Sequence, residues 1–301
     1  MGSHLVERLL AEGRDVTVLD DLSSGRRANL PPDVRLIAGD VADGALLDSL
    51  LQDVDRVFHL VARVSVQLCI SDWMAAHRVN LGGTMAVLQA AQRAGKVPVV
   101  YASSAAVYGN RSGAACAEDD LPLPISPYGA DKLGSEHQVR AMAEVHGLAS
   151  VGLRFFNVYG LRQDAASPYA GVISKFCANR RADRPQVIFG DGGQSRDFIY
   201  VADVVEALLR AGASAAQGGG ARVFNICTGA GTTLLELVAQ LDLLAGRGAS
   251  PVEHAALRSG DIRESLGSPL AAREGFGFIA RTGIAEGMRA LWDQPGNGAG
   301  S

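Results

Sequence analysis

Three side chains in the middle of the chain have the types and spacing for proton transfer. Ser104 closes the run V-V-Y-A-S-S, and Tyr128 and Lys132 stand four residues apart in S-P-Y-G-A-D-K. Residues four apart share one helix face, so the Lys132 ammonium can lie beside the Tyr128 phenol and favour the phenolate. Bringing a phenol from about 10 to near neutrality needs about 4 kcal/mol of differential stabilisation. One lysine does not supply that, so a second positive charge in the site is expected. A Y-x-x-x-K spacing alone more often marks an exposed helix pair; the serines upstream are what strengthen it.

These residues need a strand and a helix to hold them. Val97 to Ala102 is an uncharged β-branched and aromatic run, as expected of a buried parallel strand. Its carboxyl end, with the serines, is where open α/β sheets bind ligands. Ser126 and Pro127 read as an N-cap and a first-turn proline, so a helix carrying Tyr128 and Lys132 should start there.

Composition narrows the class. With 301 residues, 48% hydrophobic and 20% charged, the chain has ample length for a buried core. A net charge of −4 with scattered Lys and Arg gives no nucleic-acid or membrane footprint, and R-R-A-D-R (Arg180 to Arg184) reads as a solvated loop. Cys69, Cys116, Cys177 and Cys227 form no C-x-x-C pair, which fits a reduced cytoplasm and no disulfide or zinc site. No apolar run approaches the roughly 20 residues of a membrane helix, and no signal peptide or internal repeat is evident.

Taken with V-I-F-G-D-G-G-Q-S-R-D-F-I-Y-V-A-D-V (Val187 to Val204), Gly39-Asp40-Val41 and R-S-G-D (Arg258 to Asp261), the chain resembles the extended short-chain dehydrogenase/reductases of the nucleotide-sugar epimerase/dehydratase family. The resemblance is greatest to the UDP-hexose 4-epimerases. It implies an α/β fold: a Rossmann-type, doubly wound parallel sheet over 1–157, which also receives later segments, and a smaller α/β substrate lobe over 158–293. The Gly-rich end, 294–301, reads as a disordered tail. Family members precede the helix starting near Leu5 with an apolar strand and a G-x-x-G-x-x-G turn. Only the last glycine of that turn has a counterpart, Gly2, so a misplaced start of the reading frame or a truncated copy is expected, with a tag remnant as the alternative.

The resemblance also places a cofactor. Asp20 and Asp21, ending a strand from Val16, suit the adenosine ribose hydroxyls and favour NAD, with Arg26 and Arg27 leaving NADP as the minor choice. Asp40 and Val41 match the adenine turn, although Asp40 alone would read as a turn former. Leu60, Val61 and Ala62, after the strand R-V-F-H-L-V, would line the pyrophosphate and ribose. Asn80 would lie near the nicotinamide, and His59 reads as a core histidine. Gly82 and Gly83 imply close packing, and their helix and the Tyr128 helix would form a homodimer face.

Substrate residues follow in the same way. Ser65 would lie at the cleft mouth. Asn157, at the end of V-G-L-R-F-F-N, would touch the sugar nucleotide, Arg196 and Arg258 would clamp its diphosphate, and Asp261 would reach the nucleoside ribose. Ser265 would gate the sugar pocket, its small side chain admitting an N-acetyl group; Tyr169 and Phe176 read as core. The implied reaction is NAD-dependent C4 epimerisation through a 4-keto sugar. Tyr128 serves as base, Ser104 bonds the sugar hydroxyl, and Lys132 and the cationic nicotinamide hold the phenolate. Dehydratases carry an Asp-Glu pair where this chain has Ala105 and Ala106, which argues against dehydration and decarboxylation. UDP-glucose/UDP-galactose is the first substrate pair, UDP-GlcNAc/UDP-GalNAc the second and UDP-glucuronate the third; a non-catalytic relative that binds a sugar nucleotide is the alternative of another class.

Overall fold

The computed structural model describes residues 1–111, 113–163, 171–257 and 262–294. Helix α1 (Gly2–Ala11) buries Leu5 and Val6, and the chain leaves it through Gly13 at φ 73°. Strands β1 (Thr17–Asp20) and β2 (Arg35–Ala38) pair in parallel, with Asp20 opposite Ala38. Helix α2 (Gly44–Leu50), capped by the Asp43 carboxylate, leads to β3 (Val57–His59). Two short helices, α3 (Val66–Ser71) and α4 (Trp73–His77), pass through a π-helical turn at Arg78–Gly82 into α5 (Gly83–Arg93).

Strand β4 (Val99–Ser104) ends in a 3-10 turn at Ala105–Tyr108, and α6 (Pro127–His146) and β5 (Ser150–Phe155) follow. The remainder runs β6 (Asn157–Tyr159), α7 (Val172–Arg181), β7 (Gln186–Phe189), β8 (Ser195–Tyr200), α8 (Val201–Ala216), β9 (Ala221–Ile226) and β10 (Gly231–Thr233). It closes with α9 (Leu234–Ala245), β11 (Val252–Ala255), β12 (Glu264–Ser265), α10 (Leu270–Phe276) and α11 (Ile284–Asp293).

The main sheet is parallel, in the order β3-β4-β5-β9, and β1-β2 is a separate two-stranded ladder. Alternation along β4 sends its side chains into two cores. Val100 and Ala102 meet Leu5 of α1 and Val204, Leu208 and Ala211 of α8. Val99 and Tyr101 meet Val87, Leu88 and Ala91 of α5 and Val139 of α6. Covering helices on both faces explain why β4 is apolar without interruption. The second lobe sets β6, β10 and β12 around β8 and pairs β7 with β11 in parallel. Its core holds Tyr159, Ile173, Phe176, Ile188, Phe198, Leu237 and Met288.

Several local expectations change. The run from Val151 to Gly160 is two strands, because Phe156 N–H makes the last contact with β9 (to Ile226 O, 3.2 Å) and β6 then joins β8. The glycine turn at 190–193 joins β7 to β8, which lie in different ladders. Arg180 and Arg181 are cross-links rather than a solvated loop. Arg180 is buried against Asp242 and Gly248 O, and Arg181 caps carbonyls at the end of α11 and stacks on Trp292. Of the two glycines opening α5, only Gly83 is forced by packing: a Cβ there would stand 2.6 Å from Val41 Cγ1. The four cysteines are buried free thiols. Among the described residues no helix is long and apolar enough to cross a membrane.

Candidate active site

β4 and α6 bring the three chemical residues together. Ser126 caps α6 by accepting Gly129 N–H (3.2 Å), and Pro127 follows as the first helical residue. Gly129 lets the helix approach the turn after β4, because a Cβ there would stand 2.5 Å from Ala106 O. Tyr128 thereby reaches Ser104, with which it shares a hydrogen bond. Lys132 is 1% exposed; its Nζ donates to Ala102 O (2.8 Å) and lies 5.8 Å from the Tyr128 ring centroid.

Burial dominates the electrostatics. It pushes the Tyr128 phenol up to about 12, although the Ser104 hydrogen bond works the other way. It lowers Lys132 to about 8, against the Asp131 charge that favours the ammonium. These residues alone therefore hold a neutral phenol beside an ammonium at pH 7. Lys132 is spent on a carbonyl and faces the ring, so the phenolate needs the second positive charge expected above.

Behind the site lies a buried polar network that sequence reasoning missed. Arg154 of β5 and Glu136 of α6 pair through Nε–Oε1 (2.9 Å) and Nη2–Oε2 (2.7 Å). Ser103 Oγ donates to the same carboxylate at 2.5 Å, and Arg154 Nη1 reaches Tyr108 Oη at 2.8 Å. Tyr108 in turn donates to Asn225 Oδ1 of β9 (2.7 Å). Glu136 lies two helical turns beyond Tyr128 on α6, a spacing that could have signalled an inward carboxylate.

The cofactor candidates divide. Asp20, Asp21, Asp40, Val41 and Val61 line one pocket beyond the ends of β1 and β2, together with Gly39 of the quoted turn and with Leu19 and Val79, which had not been singled out. Asp20 accepts Leu22 N–H, Asp21 accepts Ser23 N–H and Oγ–H, and Asp40 accepts Ala42 N–H and pairs with Arg78 (2.7 Å). Arg27 turns away, donating to the carbonyls of Leu30, Pro31 and Pro32, which removes one cation that would favour NADP. Leu60 packs into the main core, and Ala62 is half-buried in the loop after β3. Asn80 is fully buried and spends its amide on Arg63, accepting from N (2.8 Å) and donating to O (3.3 Å), so it shapes that loop. Gly2 opens α1 with nothing within 4 Å of a built Cβ. His59 is a core histidine bonded to Thr84 Oγ1 (3.1 Å) and pushed down to about 3 by burial.

On the substrate side, Arg196 and Ser265 are direct partners across the β8-β12 ladder. Arg196 Nη1 donates to Ser195 O (2.9 Å) and Arg263 O (3.3 Å). Adjacent strand residues face opposite ways, and Asp197 accordingly turns inward. Its buried carboxylate accepts Thr228 N–H and Oγ–H (2.8 and 2.7 Å) and Gly229 N–H (2.9 Å), and it was not foreseen as a structural tie. Asn157 is exposed at the start of β6, and Ser65 caps α3 by accepting Leu68 N–H. Arg258, Asp261 and Tyr169 lie outside the described residues.

Known proteins are similar to this chain over nearly all of its length. A UDP-glucose 4-epimerase of Mycolicibacterium smegmatis is 38% identical over 96% of this chain and 93% of its own length. The structure of UDP-glucose 4-epimerase from Thermotoga maritima with UDP-glucose superposes with a TM-score of 0.91 at 32% identity, covering 97% of this chain and 94% of that one. A UDP-N-acetylglucosamine 4-epimerase from Methanobrevibacter ruminantium, in complex with UDP-N-acetylmuramic acid, gives 0.90 at 34% identity, with the same 97% and 94% coverage. Residues 1–227 match the family model outright, and the chain belongs to the NAD dependent epimerase/dehydratase family.

Proposed function

We propose that this protein catalyses the NAD-dependent C4 epimerisation of a UDP-hexose, with UDP-glucose and UDP-galactose as its first pair and the N-acetylhexosamines second. The observation that carries the reading is the Ser104–Tyr128–Lys132 cluster at the carboxyl end of β4. The absence of a carboxylate at Ala105 and Ala106 supports epimerisation over dehydration. The UDP-glucose 4-epimerase relatives and the UDP-sugar complexes among the structural neighbours point the same way.

The donor set fits NAD. Carboxylates at the end of β1 suit a ribose diol, the Asp40–Val41 turn suits adenine, and a buried lysine stands at the other end of the site. When bound, NAD supplies the hydride acceptor and donor and a positive charge. Tyr128 removes the proton from the sugar 4-hydroxyl and later returns it. Ser104 holds that hydroxyl and the phenol in line. Lys132 stabilises the phenolate, and its Ala102 bond keeps it within reach. Arg196 and Arg258 grip the diphosphate while the sugar turns over, with Asn157 and Asp261 holding the nucleotide and Ser265 leaving room at the sugar. On the cofactor side, Gly2, Leu60, Ala62 and Asn80 serve at or behind the pyrophosphate and nicotinamide, and Ser65 at the cleft mouth.

We also place the protein in the cytoplasm as a homodimer. Exposed Met85 on α5, one helix of the expected dimer face, supports a partner there. The test of function is epimer formation from UDP-glucose and from UDP-GlcNAc with NAD supplied, separated by chromatography. Tyr128→Phe should lose turnover by orders of magnitude while remaining folded; near-normal turnover in that variant rules out the base.

A further inference from the structure

Asp131 stands between Tyr128 and Lys132 on α6, and the mechanism above gives it nothing to do. It is 4% exposed. One oxygen, Oδ1, takes Nδ1 of His77 from α4 at 2.6 Å, and Oδ2 is buried with no hydrogen-bond partner. The His77 side chain is 46% exposed, so the pair runs from the surface to the catalytic helix. A buried carboxylate with an unfilled oxygen is costly unless a cation answers it. The neighbouring cation is Lys132, whose ammonium that carboxylate favours.

The other ionisable groups around the pair are either neutral at neutral pH or already matched with each other. Cys69 of α3 stays a thiol because burial raises it, and His59 of β3 stays neutral because burial pushes it down to about 3. Tyr128, one turn back on α6, is a neutral phenol before cofactor binds. Glu136 and Arg154 are committed to each other. Asp131 is thus the anion among the described residues whose charge is left to act on Lys132.

We propose that Asp131, held in place by His77, is a positioning residue that keeps Lys132 charged beside Tyr128 and so sets the pH range of the reaction. This rests on Tyr128 and Lys132 being the catalytic pair. Asp131 touches neither substrate nor cofactor; it acts through Lys132.

The test is Asp131→Asn, which keeps the shape and the acceptor for His77 and removes the charge. Losing an anion favours the neutral lysine and the phenolate, so both limbs of the kcat–pH profile should move down by about one pH unit, with KM for UDP-glucose little changed. A second readout needs no turnover: the pH at which the cofactor-free protein begins to gain stability as Lys132 loses its proton should fall by about the same amount. His77→Leu, which releases the carboxylate to turn toward water and away from Lys132, should shift the profile in the same direction by less, and serves if Asp131→Asn does not fold; an upward shift there would overturn the holding role of His77. Limbs that stay in place, or an equal loss of kcat at every pH, would overturn the proposal. Tyr128→Phe in parallel separates the two ideas: full turnover there defeats the catalytic assignment, whereas loss there with unmoved limbs in Asp131→Asn defeats only the role of Asp131.

Discussion

Replacing Lys132 by methionine should abolish epimerisation and yet make the cofactor-free protein more stable at neutral pH. The ammonium is held in a place that lowers it from its ordinary 10.5 to about 8. That drop corresponds to about 3 kcal/mol by which the buried charge disfavours the fold at pH 7. Methionine has a similar length and no charge, but it leaves Ala102 O without its 2.8 Å donor, a loss of about 1 kcal/mol. The variant should therefore gain about 2 kcal/mol in urea unfolding at pH 7. The pH dependence carries the sign. Because the folded lysine has the lower value, the penalty is fully present below pH 8 and disappears as pH rises toward 10.5, where the unfolded chain still binds the proton. Wild-type stability should climb from pH 8 to 10 relative to the variant, and the gap between them should close. Above pH 10 the raised Tyr128 acts oppositely, since the unfolded phenol ionises first, so pH 8 to 10 is the window to measure. A variant less stable than wild type at pH 7, or a gap that does not narrow, would refute the reasoning.

Three further outcomes are expected. Arg154→Met should cost about 3–5 kcal/mol by stranding the Glu136 carboxylate, whereas Arg154→Met with Glu136→Leu should recover much of it, read as urea midpoints. Gly129→Ala should push α6 off the turn at Ala106 and lower kcat by at least tenfold, about 1.4 kcal/mol of lost positioning, with a smaller change in melting temperature. Ser265→Tyr should depress turnover of UDP-GlcNAc selectively, and an equal loss on UDP-glucose would show that the gate is elsewhere.

What could be read in advance was whatever depends on local chemistry. Ser126-Pro127 announced the start of α6 because capping and a first-turn proline are decided within four residues. The apolar run of β4 announced a strand covered on both faces for the same kind of reason. The partners of buried charges were not legible. Glu136 meets Arg154 across 18 residues and Asp197 meets Thr228 across 31, and neither spacing has a local period. The continuous V-G-L-R-F-F-N-V-Y-G hid the switch at Phe156, since both strands it joins are apolar and only their partners differ. Asp131 looked like an ordinary polar helix residue until α4 brought His77 against it.

That switch at Phe156 bears on how the protein moves. β5 belongs to the sheet whose strand β4 ends in Ser104, and β6 belongs to the sheet that carries Arg196, with a single buried residue between them. A hinge needs residues free to change their backbone angles, and here the joint is one phenylalanine packed in a core, with its own N–H bonded. The separation of Ser104 from Arg196 is therefore built in like the span of a caliper locked at one setting. Sugars of different bulk have to be accommodated at the pocket wall, and adding one residue at this joint would flip every later side chain of β6 to the opposite face.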